Sequence, residues 1–335
     1  MELKYLCDLN GVSGNERLVR NVLMEEAKKY ADEVKIDRMG NLIAFKKGTD
    51  SENHPHVCLS AHMDEVGFIV LGATDDGLLR FTCVGGIDPR VIVSKYVVIG
   101  EEKVKGVIGA MAIHLQSHEM RARVLGYNEL FIDIGAKTKD EALGKCPAGS
   151  YVAFDSTFEP LGDLVVAKAL DDRVGCYNLL RLMQERYACD VSYAFVVQEE
   201  VGLRGAKCAG YGVQPDIAIV LEATTAADMG AVPTVRQVCN VNKGVVVSFM
   251  DTASIANKDL FHQMLSLAKE NEITHQVKRG TFGGNDAGAY QRSTQGVRTI
   301  TLSIPCRYIH GPSSVASLND VDAQFALATA YLKSF

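Results

Sequence analysis

The first regular rhythm of apolar and polar positions comes at "ERLVRNVLMEEAKKY", where Leu18, Val22 and Leu23 recur at helical spacing. Ser13 and Glu16 just ahead of it have the pattern of a capping box, which predicts a helix start there. "VKIDRMGNLIAFKKG" follows, two short β-type runs turning around Gly40 and Asn41, and "HVCLSAHMDEVG" reads as a buried strand running into polar residues. Between about residues 66 and 162 the texture changes. Short β-rich runs such as "FIVLGA", "LLRFTCVG", "KVKGVIG" and "NELFIDIG" are broken by glycines and turn residues, and helical periodicity is scarce. That predicts a small β-barrel-like unit. Beyond it strand and helix alternate: "GDLVVAKAL" strand, "DRVGCYNLLRLMQERY" helix, "VSYAFVVQ" strand, "LRGAKCAGYG" helix, "DIAIVLE" strand, "NKDLFHQMLSLAKENE" helix, "RTITLSI" strand, "NDVDAQFALATAYLKSF" helix. The expected architecture is a mixed-sheet α/β/α domain, residues 1–65 and 163–335, interrupted by an inserted β domain at 66–162.

Composition narrows the class. At 335 residues, 47% hydrophobic and 23% charged, the chain has the make-up of an ordinary globular protein with two structural units. A net charge of -6 without a basic run gives no electrostatic footprint for nucleic acid. No apolar segment approaches the ~20 residues of a membrane helix, and "MELKYLCDLNGVSGNERLV" lacks the apolar centre of a signal peptide. The nine cysteines are scattered singly, without a CxxC pair, so neither a zinc ribbon nor a disulfide framework is expected and a reducing cytoplasm is the natural compartment.

Chemistry gathers where the predicted strands end. His62 and Asp64 follow "VCLSA", Asp171 and Asp172 follow "LVVAKAL", Glu199 and Glu200 follow "YAFVVQ", Glu222 follows "IAIVL", and His310 lies in "RYIHGP" after "TITLSIP". Open α/β sheets bind ligands at the carboxyl ends of their strands. Alone, each of these residues has an ordinary reading: a solvated histidine, a helix-capping aspartate, a surface glutamate. Five separate segments each aiming a His or carboxylate at one rim make a donor set for Zn²⁺, Co²⁺ or Mn²⁺. His54, His56, His114, His118, His262 and His275 keep the ordinary reading. Extended backbone would point Glu199 and Glu200 opposite ways, one toward a metal and the other toward a water, and would put Asp64 beside His62 to orient its ring.

"SAHMDEVGF", "KALDDRVG", "VVQEEVGLRGA", "LEATTAAD", "GGNDAG" and "RYIHGP" occur in the order seen in the M42 family of metallo-aminopeptidases, which the chain resembles over nearly its whole length. The resemblance implies an enzyme that trims peptides from their amino termini with water activated by two divalent metal ions per chain. Carried over motif by motif, it implies His62, Asp171, Glu200, Glu222 and His310 as metal ligands, with Asp171 bridging. Glu199 would be the general base, Asp64 the partner of His62, and Gly283, Gly284 and Asn285 substrate contacts. The inserted β domain would pair subunits, and the dimers would assemble into a tetrahedral dodecamer. Two positions depart from the family pattern: Glu222 stands where Asp is commoner, and Asn285 where Thr is common. Two other classes are open. An endoglucanase needs two carboxyls flanking one bond, ~5–9.5 Å apart, which adjacent Glu199 and Glu200 fit poorly. A non-catalytic peptide-binding assembly protein would have little use for an intact ligand set.

Overall fold

The computed structural model describes residues 1–335. Its first 62 residues give helices α1 (Leu3–Asp8) and α2 (Arg17–Ala27) and strands β1 (Glu33–Ile36), β2 (Leu42–Lys46) and β3 (Val57–His62). Strands β4 (Gly67–Ala73), β5 (Leu79–Val84), β6 (Tyr96–Ile99), β7 (Val104–Ala110), β8 (Leu130–Asp133) and β9 (Tyr151–Phe154) then close into a barrel, with α3 (His118–Arg121) and α4 (Lys139–Lys145) in its connections. A small three-stranded sheet combines β10 (Glu159–Leu161) and β11 (Leu164–Ala167) with the much later β17 (Ser314–Ala316). The remainder is α5 (Leu170–Leu182), β12 (Val191–Val196), α6 (Arg204–Val213), β13 (Ile217–Thr225), β14 (Val245–Ser248), α7 (Lys258–Glu270), β15 (His275–Val277), α8 (Ala287–Gln291), β16 (Arg298–Cys306) and α9 (Leu318–Leu332). No helix is long and apolar enough to cross a membrane.

The main sheet has eight strands in the order β1-β2-β12-β3-β13-β16-β14-β15. Its four central neighbours, β12, β3, β13 and β16, run parallel, so their carboxyl ends share one rim. The period-2 alternation of the strands sorts the two faces. Val57, Leu59 and Ala61 of β3 and Ile217, Ile219 and Leu221 of β13 pack under α5, α7 and α9 in the largest core cluster. Cys58 of β3 and Ala218 and Val220 of β13 face α6 and α8, whose Ala206, Ala209, Ala287 and Ala289 are small enough to let those helices lie close. His62 and Glu222 belong to this second set of alternating positions, and both are buried at the ends of their apolar runs. The barrel has its own core, with Phe68 edge-on to both Phe81 and Phe154.

Four sequence expectations need correction. Ser13 does not cap α2: its hydroxyl donates to Asp64, and the helix begins at Arg17 without a side-chain cap. Leu18 is exposed, and the buried stripe of α2 is Val19, Leu23 and Ala27. "LVVA" is not a strand of the main sheet but of the small one. Finally, Glu199 and Glu200 do not lie on extended strand. β12 stops at Val196, Gln198 takes a left-handed φ of 57°, and the amides of Gly202 and Leu203 both bond back to the Glu199 carbonyl.

Candidate active site

Asp171 is the meeting point. It sits just ahead of the regular part of α5, which starts after Asp172, because both aspartates have non-helical backbone angles. The two then divide. Asp172 accepts the amide of Gly175 at 3.0 Å, as a helix cap does, while Asp171 turns into the rim. Its Oδ1 lies 3.1 Å from Nε2 of His62, and its Oδ2 lies 3.4 Å from Nε2 of His310. Glu222 Oε1 stands 3.4 Å from the same nitrogen of His62, and Glu200 Oε2 3.3 Å from that of His310. One carboxylate thus lies between two His–Glu pairs.

The other ring nitrogens are spoken for. Nδ1 of His62 is 3.0 Å from the carbonyl oxygen of Asp64, and Nδ1 of His310 is 2.9 Å from that of Gly86, in the loop after β5 of the barrel. Hydrogen bonds of this kind leave the Nε2 lone pairs facing inward. Asp64 is completely buried and does more than face His62. Its Oδ1 accepts the amide of Glu199 at 3.0 Å, and its Oδ2 accepts the amide of Glu200 at 3.2 Å and the Ser13 hydroxyl at 2.6 Å. The carboxylate therefore fixes the turn carrying both glutamates. That turn, rather than strand alternation, separates them: Glu200 reaches His310, and Glu199 lines the cleft without an ion-pair partner.

The electrostatics need a cation. Asp171, Asp172, Glu199, Glu200, Glu222 and Asp286 converge here, and none forms an ion pair with a lysine or arginine; the paired cations are histidines only. Burial lifts Glu200 to about 8 although His310 pulls it down, and lifts Asp286 to about 7. Glu199 and Glu222 rise well above the usual carboxylate range for the same reason, against the pull of His62. Burial opposes charge on the His310 ring, but Asp171 and Glu200 outweigh it and raise its pKa to about 9. Protons are thus what the cluster gathers when nothing better is offered. Divalent cations would displace them, since the donors are imidazole nitrogens and carboxylate oxygens. Glu222 Oε2, Asp172 Oδ2 and both oxygens of Asp286 are buried without hydrogen-bond partners, the state expected of atoms that await a ligand. Two groups meet the spacing for a metal ion: His62 with Asp171 and Glu200, and His62 with Asp172 and Glu222.

A cleft of about 230 Å³ opens from Asp171, Glu199, Glu222 and His310 and is walled on one side by Gly283, Gly284 and Asn285. Gly283 has a left-handed φ of 74°. A Cβ on Gly284 would come within 2.9 Å of the Ala253 and Thr252 side chains, so glycine lets the loop fold against them. The amide group of Asn285 is used internally: Nδ2 donates to Asp251, and its oxygen accepts from the Ala287 amide and the Thr301 hydroxyl. The histidines given the ordinary reading stay outside the cluster; His56, for example, meets the Ser192 hydroxyl.

A sequence model described as M42 glutamyl aminopeptidase matches residues 40–327. The chain belongs to the M42 peptidase family. A lysyl aminopeptidase of Pyrococcus furiosus is 33% identical to this M42 chain over 346 residues, spanning 99% of it and 96% of the relative. Among solved structures, an aminopeptidase from the archaeon Desulfurococcus kamchatkensis superposes with a TM-score of 0.94 at 32% identity, covering 99% of this chain and 94% of the other. The Pyrococcus horikoshii TET1 peptidase, which can assemble into a tetrahedron or a large octahedral shell, superposes at 0.87 with 35% identity, covering 99% and 98%. The chain is accordingly an M42-family aminopeptidase, a hydrolase. Two site residues had no signal in the sequence: Ser13 looked like a cap, and Asp286 stood inside a motif read for Gly283, Gly284 and Asn285.

Proposed function

We propose that the chain removes amino-terminal residues from peptides using two divalent cations per chain, Zn²⁺ or Co²⁺ foremost and Mn²⁺ as a third choice. The observation that carries this is the placement of Asp171, one oxygen toward His62 and the other toward His310, with Glu222 and Glu200 flanking. His62, Asp171 and Glu222 would hold one cation, and Asp171, Glu200 and His310 the other; this division follows the His–carboxylate contacts of 3.1–3.4 Å rather than the two tightest donor groups, which share His62. When bound, such ions polarise a carbonyl and make water a nucleophile at neutral pH. The chain supplies the rest. Glu199, which lines the cleft beside the rim without an ion-pair partner, takes a proton from the attacking water and passes it to the departing amine. Asp64 and Ser13 keep the turn bearing Glu199 in register with the rim. The acidic cluster attracts the ammonium of a free peptide amino terminus. Gly283, Gly284 and Asn285 form the wall against which the peptide lies.

The same proposal includes a homo-oligomer paired through the barrel unit, residues 66–162, with dimers building a tetrahedral dodecamer. It is supported by the assemblies of the TET1 relative and by Tyr96, Met111, Ile113 and Leu115, which the barrel side exposes. Nine unpaired thiols suit a reducing cytoplasm.

The test is a panel of aminoacyl anilides, their N-acetylated counterparts and a soluble β-glucan, each incubated with protein supplied with Co²⁺ or Zn²⁺. Release of aniline from free-amine substrates alone is the expected result. Equal cleavage of acetylated substrates, or hydrolysis of the glucan instead, would overturn it.

A further inference from the structure

Two hollows meet at His310, and the proposed chemistry uses only one of them. Ile309 and His310 line both the catalytic cleft, of about 230 Å³, and a second hollow of about 660 Å³. The second one lies between the two structural units. One wall is the connection between β5 and β6 of the barrel, from Gly86 to Lys95; the other is the stretch from Tyr308 to Ser313, between β16 and β17. His310 belongs to both spaces: its Nε2 faces Asp171 and Glu200, and its Nδ1 meets the carbonyl of Gly86 at 2.9 Å. The linings differ in charge. The cleft carries Asp171, Glu199 and Glu222, which suit an ammonium. In the second hollow the one carboxylate, Asp88, is taken up by Arg90, whose Nε donates to its two oxygens at 2.9 and 2.8 Å. Lys95 is exposed, and no carboxylate lies within the 4.0 Å of an ion pair from its ammonium. Val91, Val93 and Tyr308 add exposed apolar surface, at 42%, 37% and 56%. A peptide bond held at the rim of an aminopeptidase has one residue on its amine side and the rest of the chain on the other. The ammonium belongs with the carboxylates of the smaller cleft. The remaining chain is left with the larger hollow, whose unspent charge is positive.

We propose that the hollow between barrel and catalytic domain receives the peptide downstream of the cleaved bond, and that Lys95 makes it favour an acidic residue there. The inference rests on the aminopeptidase reading and adds the part of the substrate that leaves. Chains longer than a dipeptide, with an anionic side chain at the second or third residue, are the class it selects. Val91, Val93 and Tyr308 give apolar contact to any such chain, and Lys95 decides between chains. Contacts remote from the reacting carbonyl help to position it, so the gain appears in kcat/KM. The barrel then takes part in turnover through the substrate as well as through His310.

Ratios of kcat/KM for release of the first alanine test this in Co²⁺-loaded protein. Every peptide begins with alanine and has an amidated chain end, so all differences lie downstream. The length ratio compares Ala-Ala-Gln-Ala-amide with Ala-Ala-amide. The charge ratios compare Glu with Gln at the second and at the third residue of the tetrapeptide amide. Each is measured for the unaltered protein, for Val93→Trp, which fills the hollow from the barrel side, and for Lys95→Glu. A ratio within one protein is independent of how much of it is folded. The length ratio should be about tenfold or more, and Val93→Trp should bring it to about threefold or less. At one position at least, Glu should be preferred by about 2- to 5-fold, the worth of an exposed ion pair, and added salt should weaken the preference. Lys95→Glu should reverse it. A length ratio near one, or one that Val93→Trp leaves intact, overturns the proposal. So does a Glu preference that is absent from the unaltered protein or survives Lys95→Glu. In each of these cases hydrolysis of Ala-Ala-amide leaves the aminopeptidase reading standing. A light-scattering mass that falls in Val93→Trp while the length ratio holds would give the hollow to a second copy of the chain, against the proposal. Absence of turnover with every peptide would overturn both.

Discussion

Glu199 and Glu200 are neighbours in sequence, yet the proposed mechanism gives them different work, and substitution should separate them. Glu199→Gln keeps size and polarity but cannot accept a proton, so kcat should fall by ~10²–10⁴ while metal content holds. Glu200→Gln removes an anionic donor 3.3 Å from His310, so metal content should drop and the protein should lose stability. Elemental analysis and single-turnover rates on both variants check the assignment; the opposite pattern would exchange the two roles. At this scale the sequence was legible wherever chemistry was aimed by a strand end. His62 ends β3, Glu222 lies three residues before the end of β13, and the Glu199–Glu200 pair stands on the turn just after β12, and the rim brings them together. It was illegible where a side chain acts on a distant backbone. Ser13 lies 51 positions from its acceptor Asp64, and a local capping pattern offered a false explanation for it.

Between elements, Asn41 is the cross-link on which the Glu199–Glu200 turn leans. It is fully buried at the start of β2, its Oδ1 accepts the Val197 amide at 3.0 Å, and its Nδ2 donates to the Gly205 carbonyl at 2.9 Å and to Asp37 at 2.7 Å. One side chain therefore ties the β1–β2 hairpin to the end of β12 and the start of α6. Asn41→Ala would leave a buried donor and a buried acceptor unpaired, at a cost of about 1–3 kcal/mol for each, only part of which water could recover. Urea unfolding should show the loss, and kcat should fall too because the turn is loosened; unchanged stability would mean that the hairpin is held elsewhere. Periodicity revealed the hairpin and the central strands but not this link. Nor did it reveal β14, whose short run follows a long irregular stretch, β15, a three-residue run just after α7, or the small sheet, since β11 pairs with β17 across some 150 residues of chain.

For the whole molecule, the barrel is joined to the catalytic rim as well as inserted beside it. The Gly86 carbonyl, in the loop after β5, is what orients His310. Deleting the barrel should therefore cost metal as well as any subunit pairing, and surface substitutions are the cleaner probe of assembly. Ile113 and Leu115 are 69% and 67% exposed, and Ile113→Asp with Leu115→Asp should shift the light-scattering mass downward while the secondary structure is kept. An unchanged mass would move the pairing surface off this edge. The inserted unit was legible as a break in texture, because a barrel of short strands writes glycines and turns where helices would write a period; its reach to His310 was not, because a backbone carbonyl carries no sequence signature. The central claim, that buried carboxylates and two histidines are assembled to hold catalytic cations, has one direct measurement. Metal-free protein, verified by elemental analysis, is titrated with Co²⁺ while hydrolysis of an aminoacyl anilide is recorded. Activity should be absent at the start and should rise to a plateau at two equivalents per chain. Full activity in the metal-free protein would contradict the account.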